Sequence, residues 1–233
     1  MTGETTPFDV LYRDRDVIVV NKRPGLLSQP DAGGDPDLLS LLSREYGGPV
    51  YPVHRLDRGV GGLIAVASSE RAARVLSEQI AGESDAFRKE YLTVVHGRFD
   101  DAAGEMTDYL LREAGRTRVV PEGTKGAKNA RLAYRVLAES GEGGTPLSLL
   151  AVRLYTGRTH QIRAQLSGAG HPVAGDGRYG AHDRFPPLAL FSSRLAFPHP
   201  VTGKILAFSV LPGTTPFDLF SIPDPGEKGL FDD

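Results

Sequence analysis

The chain contains no cysteine in 233 residues. That excludes disulfides, thiolate nucleophiles and cysteine-ligated zinc, and it fits a cytoplasmic location without requiring one. No apolar run approaches the roughly 20 residues needed to cross a bilayer, so no membrane partner is expected. The opening residues 1–7 are polar and carry no basic-then-apolar leader pattern. A large net charge is also missing: 27 Lys and Arg oppose 29 Asp and Glu, for −2 overall. As an average this argues weakly against a polyanionic partner. What remains is a soluble intracellular protein of one large domain or two small ones, with enough apolar residues for a core.

The charge that is present is unevenly placed. Residues 112–135 hold Arg112, Arg116, Arg118, Lys125, Lys128, Arg131 and Arg135 against Glu113 and Glu122. Residues 153–178 hold Arg153, Arg158, Arg163 and Arg178, with His160 and His171, against Asp176. Acids gather at the two ends. A near-neutral chain can therefore still present a basic groove, and local potential rather than net charge attracts a polyanion.

The pattern along the chain is strand-rich. Residues 17–20 read as a buried strand, ended by the N-K-R-P-G turn at 21–25. Asp35 offers an N-cap with Pro36 at the first helical position, followed by Leu38, Leu41, Leu42 and Tyr46 at helical spacing. Residues 62–67 read as a strand, and Ser69 opens a helix striped by Ala72, Val75, Leu76 and Ile80 and closed by Gly82. Further strands are expected at 89–96, 106–111, 130–137, 147–155, 189–197 and 205–210, with Gly-rich connections such as 140–144 and a short helix at 159–167. The expected class is α+β, one domain built on a mixed, mainly antiparallel central sheet with flanking helices and loops. It spans 8–215, and a loose acidic tail occupies 216–233.

Two segments carry candidate chemistry. In P-V-H-R-L-D at 52–57, Val53 and Leu56 suggest a half-buried strand end, and Gly59, Gly61 and Gly62 a sharp turn after it. Asp57 there is either a reacting carboxylate or a cap for the turn; on spacing alone the cap is the commoner case. In T-G-R-T-H-Q-I-R at 156–163, Arg158, His160, Gln161 and Arg163 crowd the start of a helix. Positive charge there opposes the helix dipole, so an anionic partner is expected. Asp57 is the candidate for Arg163, at about 4 kcal/mol in Coulomb terms for a ~4 Å pair before desolvation. Surface arginines beside a glycine turn remain the plain alternative.

Taken in order, H-R-L-D, K-E-Y, G-R-T-H-Q-I-R and G-H-P-V-x-G-D-x-x-Y-G resemble the RluA-type pseudouridine synthases. The resemblance runs from about residue 14 to 199 and includes I-V-V-N-K-R-P-G at its start. It implies the pseudouridine synthase fold and an isomerase of RNA uridines. It also implies no cofactor or metal, no obligatory protein partner, and a monomer in the cytoplasm. Asp57 would be the reacting carboxylate, as nucleophile or as base on the sugar. Tyr91 would stack on the base and take part in removing the C5 proton. Arg163 would hold Asp57 ionised and aimed, with Ile162 packed against the ring. Arg55 would hold RNA around a flipped nucleotide, and Arg158, His160 and Arg178 would meet phosphates, with Lys89 and Lys128 as weaker candidates. His54 belongs to the same substrate set, chiefly by ordering the loop through hydrogen bonds.

Two departures stand out. Many members carry x-x-T-S-G after H-R-L-D, whereas this chain has R-G-V-G-G at 58–62. Many also carry a small RNA-binding domain ahead of the catalytic one, which this sequence is expected to lack, leaving target choice to its own basic stretch. A catalytically silent RNA-binding module of the same fold is the alternative. Intact Asp57, Tyr91 and Arg163 speak against it. A carboxylate-dependent glycoside or nucleoside hydrolase would normally need a second acid, which these motifs lack.

Overall fold

The computed structural model describes residues 6–82, 86–140, 145–183, 185–224, 226 and 229–231. The chain divides into two compact units, Met1–Phe87 with Arg194–Val210, and Arg88–Ser193 with Leu211–Asp233.

In the first unit, β1 (Phe8–Arg13) pairs antiparallel with β2 (Val17–Lys22), and β2 with β4 (Gly61–Ala67). The two-residue β3 (Tyr51–Pro52) lies antiparallel on β4. The last residues of β10 (Leu190–Pro198) pair antiparallel with β11 (Ile205–Ser209). Residues 17–20 of β2 and the whole of β4 are continuous apolar runs because both their faces are covered. Helix α2 (Glu70–Ala81) follows the expected rules: Ser69 Oγ accepts the Ala72 N–H, Glu70 sits in the first turn, and Ala72 and Leu76 are buried. Its stripe packs with Val17, Val19, Leu63, Phe87 and Phe197, where Phe87 and Phe197 stack at 4.8 Å. Helix α1 (Leu38–Tyr46) is capped by Asp37, whose carboxylate accepts the Ser40 N–H, and not by Asp35. Asp35 is instead paired with Arg58 at 2.7 Å.

The second unit has the strand order β5 (Arg88–His96), β9 (Leu147–Leu154), β8 (Lys128–Ser140), β6 (Ala103–Glu113), β7 (Arg116–Val120), each neighbour antiparallel. Strand β7, unexpected from the sequence, forms an edge hairpin with β6. Helix α3 (Gln161–Gly168) is almost wholly buried. The expected connection at 140–144 lies, beyond Ser140, outside the described residues.

The fold class is α+β and mainly antiparallel, as expected. The tail, expected to be loose, is anchored at two points: Phe217 and Leu230 are buried, and the Leu230 N–H donates to Glu90 Oε2 at 3.1 Å. An apolar residue at each point outweighs the acidic composition around it. Among the described residues no helix is long and apolar enough to cross a membrane.

Candidate active site

Asp57 sits half-buried on a loop that residues far away in the chain hold in shape. Ser28 Oγ donates to the Leu56 carbonyl at 2.7 Å and accepts the Leu56 N–H at 3.0 Å. The Arg58 carbonyl accepts the Gly25 N–H at 2.7 Å, and Arg58 Nε donates back to the Gly25 carbonyl at 3.1 Å. The Asp57 carbonyl closes the turn by accepting the Val60 N–H at 3.0 Å. Val60 is buried and Gly62 has φ +106°, a backbone that favours glycine. The departure at 58–62 therefore keeps a tight turn by packing Val60 and using backbone bonds.

Below this loop lies Lys22, 0% exposed. Its Nζ donates to the carbonyls of Leu26 (2.9 Å), Arg23 (3.2 Å) and Arg58 (3.5 Å). Burial pushes the ammonium down to about 8, and the Asp57 charge acts in the opposite direction. The carboxylate thus has a buried cation beneath it as well as a fixed backbone. His54 takes the ordering role: its Nε2 accepts the Ala65 N–H at 3.0 Å, and its ring meets Phe87 edge-on. Arg55 is exposed beside it.

In the second unit, Tyr91 lies on β5 at 6% exposure, and strand alternation places Lys89 on the same face. Lys89 is itself 5% exposed, so it is a buried residue and not one of the rim. Arg163, 9% exposed, and Ile162 sit in the first turn of α3. Arg163 Nε and Nη2 grip Asp176 at 2.6 and 2.9 Å, and its guanidinium lies 4.8 Å over the Tyr179 ring. Asp176 is thus a carboxylate partner of Arg163 within this unit. The grip fixes the direction of the rest of the guanidinium.

The G-R-T-H-Q segment is equally tied. Gln161 Oε1 accepts from Thr156 Oγ1 (2.8 Å) and from the Arg158 N–H (3.0 Å), and its amide donates to the Arg131 carbonyl. His160 stands at φ +53° and shares a 2.9 Å bond through Nδ1 with the Tyr179 hydroxyl. That hydroxyl also accepts the Thr117 N–H from β7. Exposed Arg158 donates to the Asn129 carbonyl, and exposed Arg178 to the Gly115 carbonyl. Tyr179 thereby links the β6–β7 hairpin to the start of α3. Within the basic stretch, Arg118 pairs with Glu113 and Arg131 with Glu105, while Arg112, Arg116, Lys125 and Lys128 are exposed.

Asp14, Asp16 and His199 lie close enough together to resemble a metal site. The donor chemistry disagrees. His199 Nδ1 accepts the N–H groups of Val201 and Thr202, so its proton is on Nε2, which donates to Asp14 at 2.8 Å. Desolvation would raise the Asp14 carboxyl, but bonds from Tyr12, the 16 and 17 backbone and His199 hold it at about 2. This cluster ties β1 to the β10–β11 turn.

Sequence reasoning missed Lys22, Ser28, Asp176 and Tyr179. For Lys22, Asp176 and Tyr179 the signal lay in the strings N-K-R-P-G and G-D-G-R-Y-G, whose side chains support the loop and the arginine. Comparisons with known proteins identify the family. The model of the RNA pseudouridylate synthase family matches residues 16–168. The dual-specificity RNA pseudouridine synthase RluA of Pasteurella multocida is 36% identical over 221 residues, covering 91% of this chain and 96% of its own. An uncharacterised RNA pseudouridine synthase of Mycoplasma pneumoniae is 32% identical over 87% of this chain, which spans 66% of that relative. Among solved structures, human RNA Pseudouridylate Synthase Domain Containing 1 superposes with a TM-score of 0.72 at 25% identity, covering 91% of this chain and 86% of its own.

Proposed function

Because the chain belongs to the RNA pseudouridylate synthase family, we propose that it isomerises uridines in structured ribosomal or transfer RNA to pseudouridine. The N1–C1′ bond breaks, the uracil turns in place, and C5 bonds to C1′. Asp57 is the reacting carboxylate, Tyr91 stacks on the base, and Arg163 orients the acid, with Ile162 against the ring. The observation that carries this reading is the presence of all three residues in matching motifs, each buried or half-buried, with dedicated supports for Asp57 and Arg163. Ser28 and Lys22 support the Asp57 loop, and Asp176 supports Arg163. Arg55, His160 and the exposed Arg158 and Arg178 receive the RNA, and the basic β6–β7 hairpin extends that surface. Residues 8–215 act as one catalytic domain, working as a cytoplasmic monomer. The reaction is redox-neutral and calls on no cofactor. The target base must leave its stack, which costs a few kcal/mol and least in loops.

The test is tritium release from RNA carrying 5-tritiated uridine. Wild-type protein releases the label and Asp57→Asn abolishes release without unfolding the chain. RNA binding without release by the wild type would leave only a silent binding module, and free uracil in the product would mean hydrolysis instead. Mapping pseudouridines in total RNA with and without the gene then identifies the substrate.

A further inference from the structure

Lys89 is a buried charge that the reading above does not use. Burial lowers its ammonium to about 8, and among the described residues no hydrogen bond or neighbouring charge offsets that cost. A buried cation left so is destabilising, so fold stability does not explain its presence. Its location is more informative. Lys89 and Tyr91 share one face of β5, while Glu90 points to the opposite face, where it accepts the Leu230 N–H. Lys89 Nζ lies 3.5 Å from the place a Cβ would take on Gly157. Gly157 is exposed, and its φ is outside the left-handed region, so backbone conformation does not demand glycine there. The absent side chain leaves the space beside the ammonium at the T-G-R-T-H turn free of a Cβ.

We propose that Lys89 is a further catalytic residue, one that hydrogen-bonds a uracil carbonyl and stabilises the negative charge on the base as its glycosidic bond breaks. The inference rests on the pseudouridine synthase reading. When N1–C1′ breaks, the bonding pair departs with N1 and spreads onto O2 and O4. Asp57 either bonds to C1′ or takes the C2′ proton, leaving a C1′–C2′ double bond. Both routes release the uracil as an anion. When C5 attacks C1′ the pair returns to the sugar, Asp57 is released or gives the proton back to C2′, the C5 proton leaves, and N1 gains one. Product and substrate are isomers. An ammonium already desolvated and already in place interacts more strongly as that charge develops. A backbone phosphate suits it less well: phosphates remain in water and meet exposed groups such as Arg158 and Arg178, whereas Lys89 lies below the surface beside the stacking tyrosine.

The experiment compares wild type, Lys89→Met and Lys89→Arg in single turnover on uridine RNA and on the same RNA carrying 5-fluorouridine. Fluorine makes the departing base a better anion, and consumption of the fluorinated nucleoside replaces tritium as the readout. Lys89→Met should bind RNA as wild type does, melt no lower, and turn over about 10²-fold more slowly. Lys89→Arg should recover part of the rate, and the deficit of Lys89→Met should shrink on 5-fluorouridine. Failure of the wild type to release tritium overturns the functional reading and this inference together. With wild-type release intact, three results overturn the inference alone. A full single-turnover rate with weakened RNA binding and a shallower salt dependence makes Lys89 a phosphate contact. An equal deficit on both substrates, or a lowered melting temperature, makes it a structural residue.

Discussion

Among the described residues two lysines are buried, one in each compact unit, and burial pushes both ammonium groups down to about 8. Lys22 has three backbone carbonyls and the field of Asp57 around it. Lys89 has neither among the described residues, and its Nζ lies beneath a glycine. The first is explained by what it holds together. The role proposed for the second depends on something that arrives. Deep burial and a shift of proton affinity in the same direction therefore accompany different surroundings, and the hydrogen-bond partners distinguish them.

The sharpest way to break the comparison is to remove each charge. Lys22→Met strands buried carbonyls and should cost roughly 2–4 kcal/mol in urea unfolding, loosening the Asp57 loop with it. Lys89→Met should leave stability unchanged or raise it. Both ammonium groups hold their protons less tightly folded than at the ordinary value of 10.5, so the unfolded chain binds more protons above about pH 8. Stability should therefore rise from pH 8 towards pH 10, and part of that rise should vanish in Lys89→Met. If both variants destabilise alike, the distinction fails.

A smaller effect comes from a group that is satisfied like Lys22 but acidic. Asp14→Asn should cost about 1 kcal/mol near neutral pH. Its carboxyl is depressed to about 2, so the stabilisation is complete above the unfolded value of 3.8 and lost as pH falls towards 2. Acid melts of wild type and variant should converge in that interval. The smallest expected change in stability is at Gly157→Ala, where a methyl would meet Lys89 Nζ at ordinary contact distance. Folding should be unchanged or favoured by up to about 1 kcal/mol, while single-turnover rate falls because the ammonium is covered. Unaltered turnover would separate Gly157 from the base site.

Helix α2 was legible because its cap, stripe and closing glycine all agree, and the buried strands because their apolar runs are unbroken. The cap of α1 was misplaced by two residues since nothing local reveals that Asp35 is engaged by Arg58, leaving Asp37 to the helix. Strand β7 escaped because R-T-R-V-V is short, charged and pinned to α3 and Tyr179 by tertiary contacts. Family motifs supplied Asp57, Tyr91 and Arg163. They did not supply Asp176, because nothing local shows that an acid in a glycine-rich turn lies beside Arg163. Lys89 was assigned to the rim for a similar reason: a lysine at the start of a strand looks exposed until its neighbours are seen.

The alternation along β5 has a consequence for how such proteins can vary. Lys89 and Glu90 are adjacent in sequence and opposite in sign, and they serve opposite faces of the strand. Sliding β5 by one residue against β9 would put Glu90 where Lys89 stands or, in the other direction, Lys89 where the tail docks. Insertions or deletions of a single residue here would thus act as inversions of polarity rather than as local damage. The electrical character of each face of β5 is encoded in the parity of the residue count, and the pairing of Tyr91 with Val152 keeps that count.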